Sequence, residues 1–77
     1  MLKIFEERYE IYNKKGNKIL VKFKDGYWER YKYDKRNNLI STETSKGDNI
    51  YKKYNEQNEI IVEVKTTKDY IIIKGEK

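Results

Sequence analysis

Short alternations of apolar and polar residues dominate the chain, broken at regular intervals by turn-forming residues. The segments "KILVKFK", "YWERYKY", "LISTET", "NIYKKY", "IIVEVK" and "YIIIK" are rich in β-branched and aromatic residues. They follow the two-residue period of a half-buried strand. Between them lie "NKKGN", "KDG", "DKRNN", "SKGD", "NEQNE" and "TTKD", whose Gly, Asn and Asp suit tight turns, and no proline interrupts the series. The pattern predicts an all-β antiparallel meander of about seven short strands, as a twisted sheet or a partly open barrel. The opening segment reads two ways. Leu2, Phe5, Tyr9 and Tyr12 fit a helical spacing, whereas "ERYEIY" aligns with the later strand "ERYKY". The expectation is a strand over 7–12, with a short helix before residue 7 as the alternative.

The alternation is itself periodic. "YNKKGNKI" (12–19) recurs as "YDKRNNLI" (33–40) and as "YNEQNEII" (54–61), a gapless spacing of 33 − 12 = 21 and 54 − 33 = 21 residues. Tyr12, Tyr33 and Tyr54 head the copies, followed by Asn13, Asp34 and Asn55. Gly16, Asn37 and Asn58 come three residues later, and Ile19, Ile40 and Ile61 open the next strand. An Asn or Asp side chain can bond its own backbone to open a turn, and Gly or Asn tolerates the left-handed residue that closes it. Three 21-residue units are therefore expected in a single β-repeat domain over 1–77, with Tyr12, Tyr33 and Tyr54 as scaffold.

The "KDG" turn sets a register. A two-residue loop would mix polar and apolar residues on both sides of the sheet. A three-residue loop with Gly26 left-handed pairs Phe23 with Tyr27, Val21 with Glu29 and Ile19 with Tyr31. It sorts Ile19, Val21, Phe23, Tyr27, Tyr31 and Tyr33 onto a core-facing side, with Glu29 out of place. Lys18, Leu20, Lys22, Trp28, Arg30 and Lys32 take the other side.

The stretch "GYWERYKYDKRNNLI" (26–40) resembles the YD repeat of Rhs-type proteins, with the pattern Gly-x-x-x-x-Tyr-x-Tyr-Asp-x-x-Gly-Asn-Leu/Ile. Tyr31, Tyr33, Asp34, Asn38 and Leu39 match it, and Asn37 stands in place of the glycine. The outer copies carry Asn for Asp, and Glu59 stands where Asn is expected. The stretch is also similar to small Tyr/Trp-rich repeat proteins of phages and mobile elements. The resemblance implies paired β-strands. Three copies are too few for the enclosing shell that long Rhs proteins build.

Composition narrows the chemistry. Seventy-seven residues with a hydrophobic fraction of 36% and eight tyrosines make a modest core, worth roughly 3–5 kcal/mol of net stability in this size class. With neither His nor Cys, imidazole acid–base catalysis, thiol nucleophiles, disulfides and the usual zinc ligand sets are unavailable. The expectation is a non-enzymatic protein without cofactor or metal. No apolar run approaches the ~20 residues of a membrane helix, and the expected location is the cytoplasm, that of the host for a phage protein.

Of the net charge of +5, the segment 14–36 holds +6, from nine cations and three anions. The candidate binding residues are Trp28, Tyr27, Arg30, Lys22 and Lys32, with Lys18 and Leu20 beside them. Trp28 would act as an anchor while the cations steer a partner. Together with the resemblance, these features point to a protein-binding module of a phage or mobile element, of which an inhibitor of a host defence protein is one form. The alternatives are a nucleic-acid binder using the same basic aromatic side and a self-assembling structural repeat. "YIIIK" (70–74), apolar on both sides, is expected either to run through the middle of a barrel or to meet a second copy in a homodimer.

Overall fold

Every segment that alternates becomes a strand, and each strand pairs with the next one along the chain. In a computed structural model, which describes residues 1–75, these are β1 (Leu2–Ile4), β2 (Arg8–Tyr12), β3 (Lys18–Phe23), β4 (Trp28–Tyr33), β5 (Leu39–Thr44), β6 (Asn49–Tyr54), β7 (Ile60–Thr66) and β8 (Ile71–Gly75). They form one antiparallel sheet in the order β1 to β8. The all-β meander is as expected, with eight strands in place of about seven. The sheet stays open, so the barrel form is corrected. Residues 2–4 are a strand, which removes the helical alternative, and residues 8–12 are a strand as expected.

The sheet is a single layer. The Cα atoms span 45 × 33 × 11 Å, with a radius of gyration of 14.2 Å, against roughly 11–12 Å for a compact domain of this length. Among the described residues no second layer covers either side, and Val21, at 4% exposure, is the sole buried hydrophobic residue. The side expected to face a core therefore faces none.

Three turns repeat the same hydrogen bonds at one end of the sheet. In each, the residue after the repeat tyrosine accepts two backbone N–H groups on its side-chain Oδ1. Asn13 takes them from Lys15 and Asn17, Asp34 from Arg36 and Asn38, and Asn55 from Gln57 and Glu59. Gly16, Asn37 and Asn58 close these turns at φ of 86°, 65° and 64°, the left-handed region that Gly and Asn adopt most readily. Neighbouring turns are tied together: Asn17 Nδ2 donates to Asn37 Oδ1, and Asn38 Nδ2 to Asn58 Oδ1. Arg36 adds two bonds to the carbonyls of Asn55 and Glu56.

Each repeat tyrosine also marks a β-bulge. The register shifts between Ile11 and Tyr12, Lys32 and Tyr33, and Lys53 and Tyr54. The bulged strands then lose pairing on their far side, where the β3–β4 ladder runs only from Leu20 to Lys22. The tyrosine of the following unit supplies a donor there. Tyr33 Oη donates to the Lys18 carbonyl and Tyr54 Oη to the Leu39 carbonyl, both at 2.8 Å. At these two positions the Tyr ring covers the sheet while its hydroxyl satisfies a backbone oxygen at the bulge, whereas Tyr12 donates to Glu10 instead.

Candidate functional site

The β3–β4 hairpin fixes the geometry of the candidate site. Its loop has three residues: Phe23 N–H bonds the Tyr27 carbonyl, and Gly26, at φ 99°, closes the turn. Val21 pairs with Glu29, Lys22 with Trp28 and Leu20 with Arg30, the register expected from "KDG". Alternation then places Trp28, Arg30, Lys32, Leu20 and Lys22 on one face, with Tyr27, Glu29, Tyr31, Val21 and Phe23 on the other.

Two candidates lie off the Trp28 face, Tyr27 as its register predicts and Lys18 against it. Tyr27 lies on the opposite side, where its hydroxyl donates to Glu29 and its ring sits 6.0 Å from that of Phe23, with the Lys46 ammonium over it. Lys18 is the correction to the expected face. The bulge beside Tyr12 pairs the two residues directly, so Lys18 points to the tyrosine side and its ammonium lies 3.2 Å from a Glu10 carboxylate oxygen. A bulge inserts one residue, and one residue reverses the parity of the strand before it.

The tyrosine face is closed on itself. Tyr12 donates to Glu10 at 2.6 Å, and Tyr27 and Tyr31 both donate to Glu29. Glu29, out of place by its apolar neighbours, is thus the acceptor that lets two tyrosines lie down on the sheet. The Tyr12 hydroxyl, Arg8 and Lys18 together hold the Glu10 carboxyl at about 2, although its burial opposes this. The hydroxyls of Tyr31 and then Tyr27 hold Glu29 below the usual carboxylate range. Burial and then the Glu29 carboxylate raise Tyr31, and the bond to Glu29 raises Tyr27.

The Trp28 face is arranged differently. Trp28 is half-buried, with the Arg30 guanidinium 5.3 Å from its ring centre. Tyr9, Leu20, Lys22, Trp28 and Arg30 line a depression of about 200 Å³. Arg30 also forms an ion pair with Glu43 at 3.1 Å. Lys22 and Lys32 are exposed beside it. A second hollow of about 470 Å³ adjoins the first through Tyr9 and Lys22, and includes Leu2, Ile4, Phe5 and Ile11. Pairing of Leu2 with Ile11 and of Ile4 with Tyr9 brings these side chains to the same face.

Tyr9, Ile11, Leu2, Ile4 and Glu43 are the residues that the sequence reading missed. The first four do alternate with polar neighbours, but the helical spacing of Leu2, Phe5, Tyr9 and Tyr12 obscures that period. Glu43 becomes visible only once the turn over 34–38 fixes the β4–β5 register, which sets Arg30 opposite it. No group of His, Cys, Asp and Glu suited to hold a metal ion occurs among the described residues. No helix there is long and apolar enough to cross a membrane. No protein-family model, curated protein or solved structure matches the chain.

Proposed function

We propose that this chain is a non-enzymatic protein-binding module that engages its partner through the Trp28 face. The observation that carries the reading is the single-layer sheet. Its accessible surface is 6096 Å², roughly 1,000 Å² more than a compact monomer of 9.5 kDa would show. That excess is of the size a standard protein interface hides on each partner, about 800 Å². The face offers a half-buried Trp beside an apolar hollow that Lys22 helps to line, with Lys32 exposed further along the strand of Trp28, which is the arrangement of an interface anchor with charged steering groups. The expected partner surface is apolar at its centre and acidic at its margin. The resemblance to YD-type repeats and to phage repeat proteins supplies the setting, a phage or other mobile element, and an inhibitor of a host defence protein is the narrowest form of the reading. Engagement of Arg30 by Glu43 favours protein over nucleic acid, because the cation best suited to phosphate is already paired.

The test is capture of an acidic host protein by immobilised wild-type chain, repeated with Trp28→Ala and with Lys22→Glu/Lys32→Glu. Loss of at least tenfold in apparent affinity with Trp28→Ala, and slower association with the charge reversals, is the expected result. Equal capture by all three chains overturns it. A shift of DNA or RNA at low salt that fades steeply toward physiological ionic strength would replace it with a nucleic-acid interface.

A further inference from the structure

The third repeat unit departs from the first two at its second turn. Gly26 and Gly47 close three-residue loops at φ of 99° and 85°. The corresponding residue in the third unit is Lys68, and there the Thr67 N–H bonds the Tyr70 carbonyl across a two-residue loop. The lost loop residue reverses the parity of β8. Ile71 and Ile73 now pair with Thr66 and Val64 on the Trp28 face, and Ile72 pairs with Lys65 on the tyrosine face. A strict repeat would have placed them the other way round.

The same turn decides which backbone groups of β8 are free. Bonding alternates along an antiparallel ladder, so the Thr67–Tyr70 bond means that Tyr70, Ile72 and Lys74 direct their N–H and C=O toward β7. Those of Ile71 and Ile73 point outward. Among the described residues nothing pairs with that edge. Edge strands are ordinarily blunted by proline, bulges or charge, and terminal units of repeat proteins are ordinarily polar on their outer side. This edge is apolar instead: Ile71 and Ile73 are 66% and 69% exposed, and Lys74 is its one charge among the described residues. The opposite edge, β1, is shorter and has Lys3 at its centre.

We propose that β8 is a homodimerisation edge, along which two copies join antiparallel about a two-fold axis at Ile72 to make one continuous sheet. In that register Ile71 of one copy lies opposite Ile73 of the other, each such pair exchanging both of its backbone bonds. Val62, Val64, Ile71 and Ile73 of the two copies merge into one apolar stripe. Tyr70 of one copy lies opposite Lys74 of the other, a cation–ring pair like that of Lys3 and Tyr12 within the chain. The contact is isologous, so assembly closes at two. It does not involve Trp28.

Sedimentation of the 77-residue chain from micromolar to hundreds of micromolar should show a mass of about twice 9.5 kDa at the upper end. Ile73→Pro removes an outward N–H and leaves the β7 ladder intact, and should give a monomer with an unchanged circular-dichroism spectrum. Should that variant fail to fold, Ile73→Lys tests the same contact and should weaken association at least tenfold. Because the chain has no cysteine, Ile72→Cys introduces a single thiol on the two-fold axis. A non-hydrogen-bonded pair sets the Cα atoms about 4.5 Å apart, within disulfide range, so mild oxidation should yield a covalent dimer. Trp28→Ala should dimerise like the wild type, which separates this contact from the partner-binding face. A monomer at every concentration overturns the proposal, as does a dimer indifferent to Ile73→Pro. So do species that keep growing with concentration while Ile72→Cys forms no cross-link, the signature of β8 stacking on β1.

Discussion

The two faces of the sheet are made by the same strands, yet they solve the missing second layer in opposite ways. On the tyrosine face, Tyr12, Tyr27 and Tyr31 lie down against Glu10 and Glu29, and Tyr33 and Tyr54 reach bulge carbonyls. Rings shield the backbone and each of these hydroxyls has an acceptor within the chain. On the Trp28 face, Leu2, Ile4, Ile71 and Ile73 are exposed without such cover. Stability is concentrated on one side of a one-layer sheet, and on our proposal recognition falls to the other.

The sharpest way to break this contrast is Val21→Ala, at the sole buried hydrophobic site among the described residues. Truncation should cost about 2 kcal/mol, a large share of the whole stability of so small a protein, and urea unfolding would read it directly. Next come Tyr33→Phe and Tyr54→Phe, each expected to cost about 1 kcal/mol by leaving a bulge carbonyl without its donor. Their effects should add, since the two bulges lie in different units.

Acid should then undo the same face. The Glu10 carboxyl lies at about 2 in the folded chain against 4.5 as its ordinary value, and Glu29 and Asp34 are also lowered, Asp34 chiefly by the Asn38 N–H. A carboxyl depressed on folding stabilises the fold above its unfolded value, and that contribution is lost as pH falls from about 4.5 toward 2. Thermal melts should therefore drop through this window, with a shallower fall in Glu10→Gln. The raised tyrosines act at the other end. Neutral hydroxyls favour the fold below pH 10, and their contribution is lost as pH rises beyond it. The smallest expected effect on stability is that of Trp28→Ala, under about 1 kcal/mol by the same unfolding assay, since its face is not what holds the sheet. A loss as large as that of Val21→Ala would erase the distinction between the faces.

Much of this was legible in the sequence. The 21-residue spacing located the three left-handed turns closed by Gly16, Asn37 and Asn58, and "KDG" gave the β3–β4 register, because Gly, Asn and Asp report backbone conformation locally. Three features were not legible. Periodicity tells which residues share a face but not whether anything covers it, so Ile19, Val21 and the tyrosines read as core-facing in a sheet that has no second layer. The bulge at Lys18 reverses one residue without changing composition. The turn over 67–70 shortens by one residue because Lys68 replaces glycine, and only the pairing of Ile71 with Thr66 reveals it.

The strict order β1 to β8 has a consequence for how the chain comes to be folded. Among the described residues no ladder pair spans more than 66 − 49 = 17 residues, the separation of Asn49 and Thr66. Most all-β folds fold slowly because distant segments must find one another. Here each strand meets a neighbour that has just been made. The sheet can grow from its first hairpin as the chain leaves the ribosome, one strand at a time, and β8 is the last of the eight to be laid down.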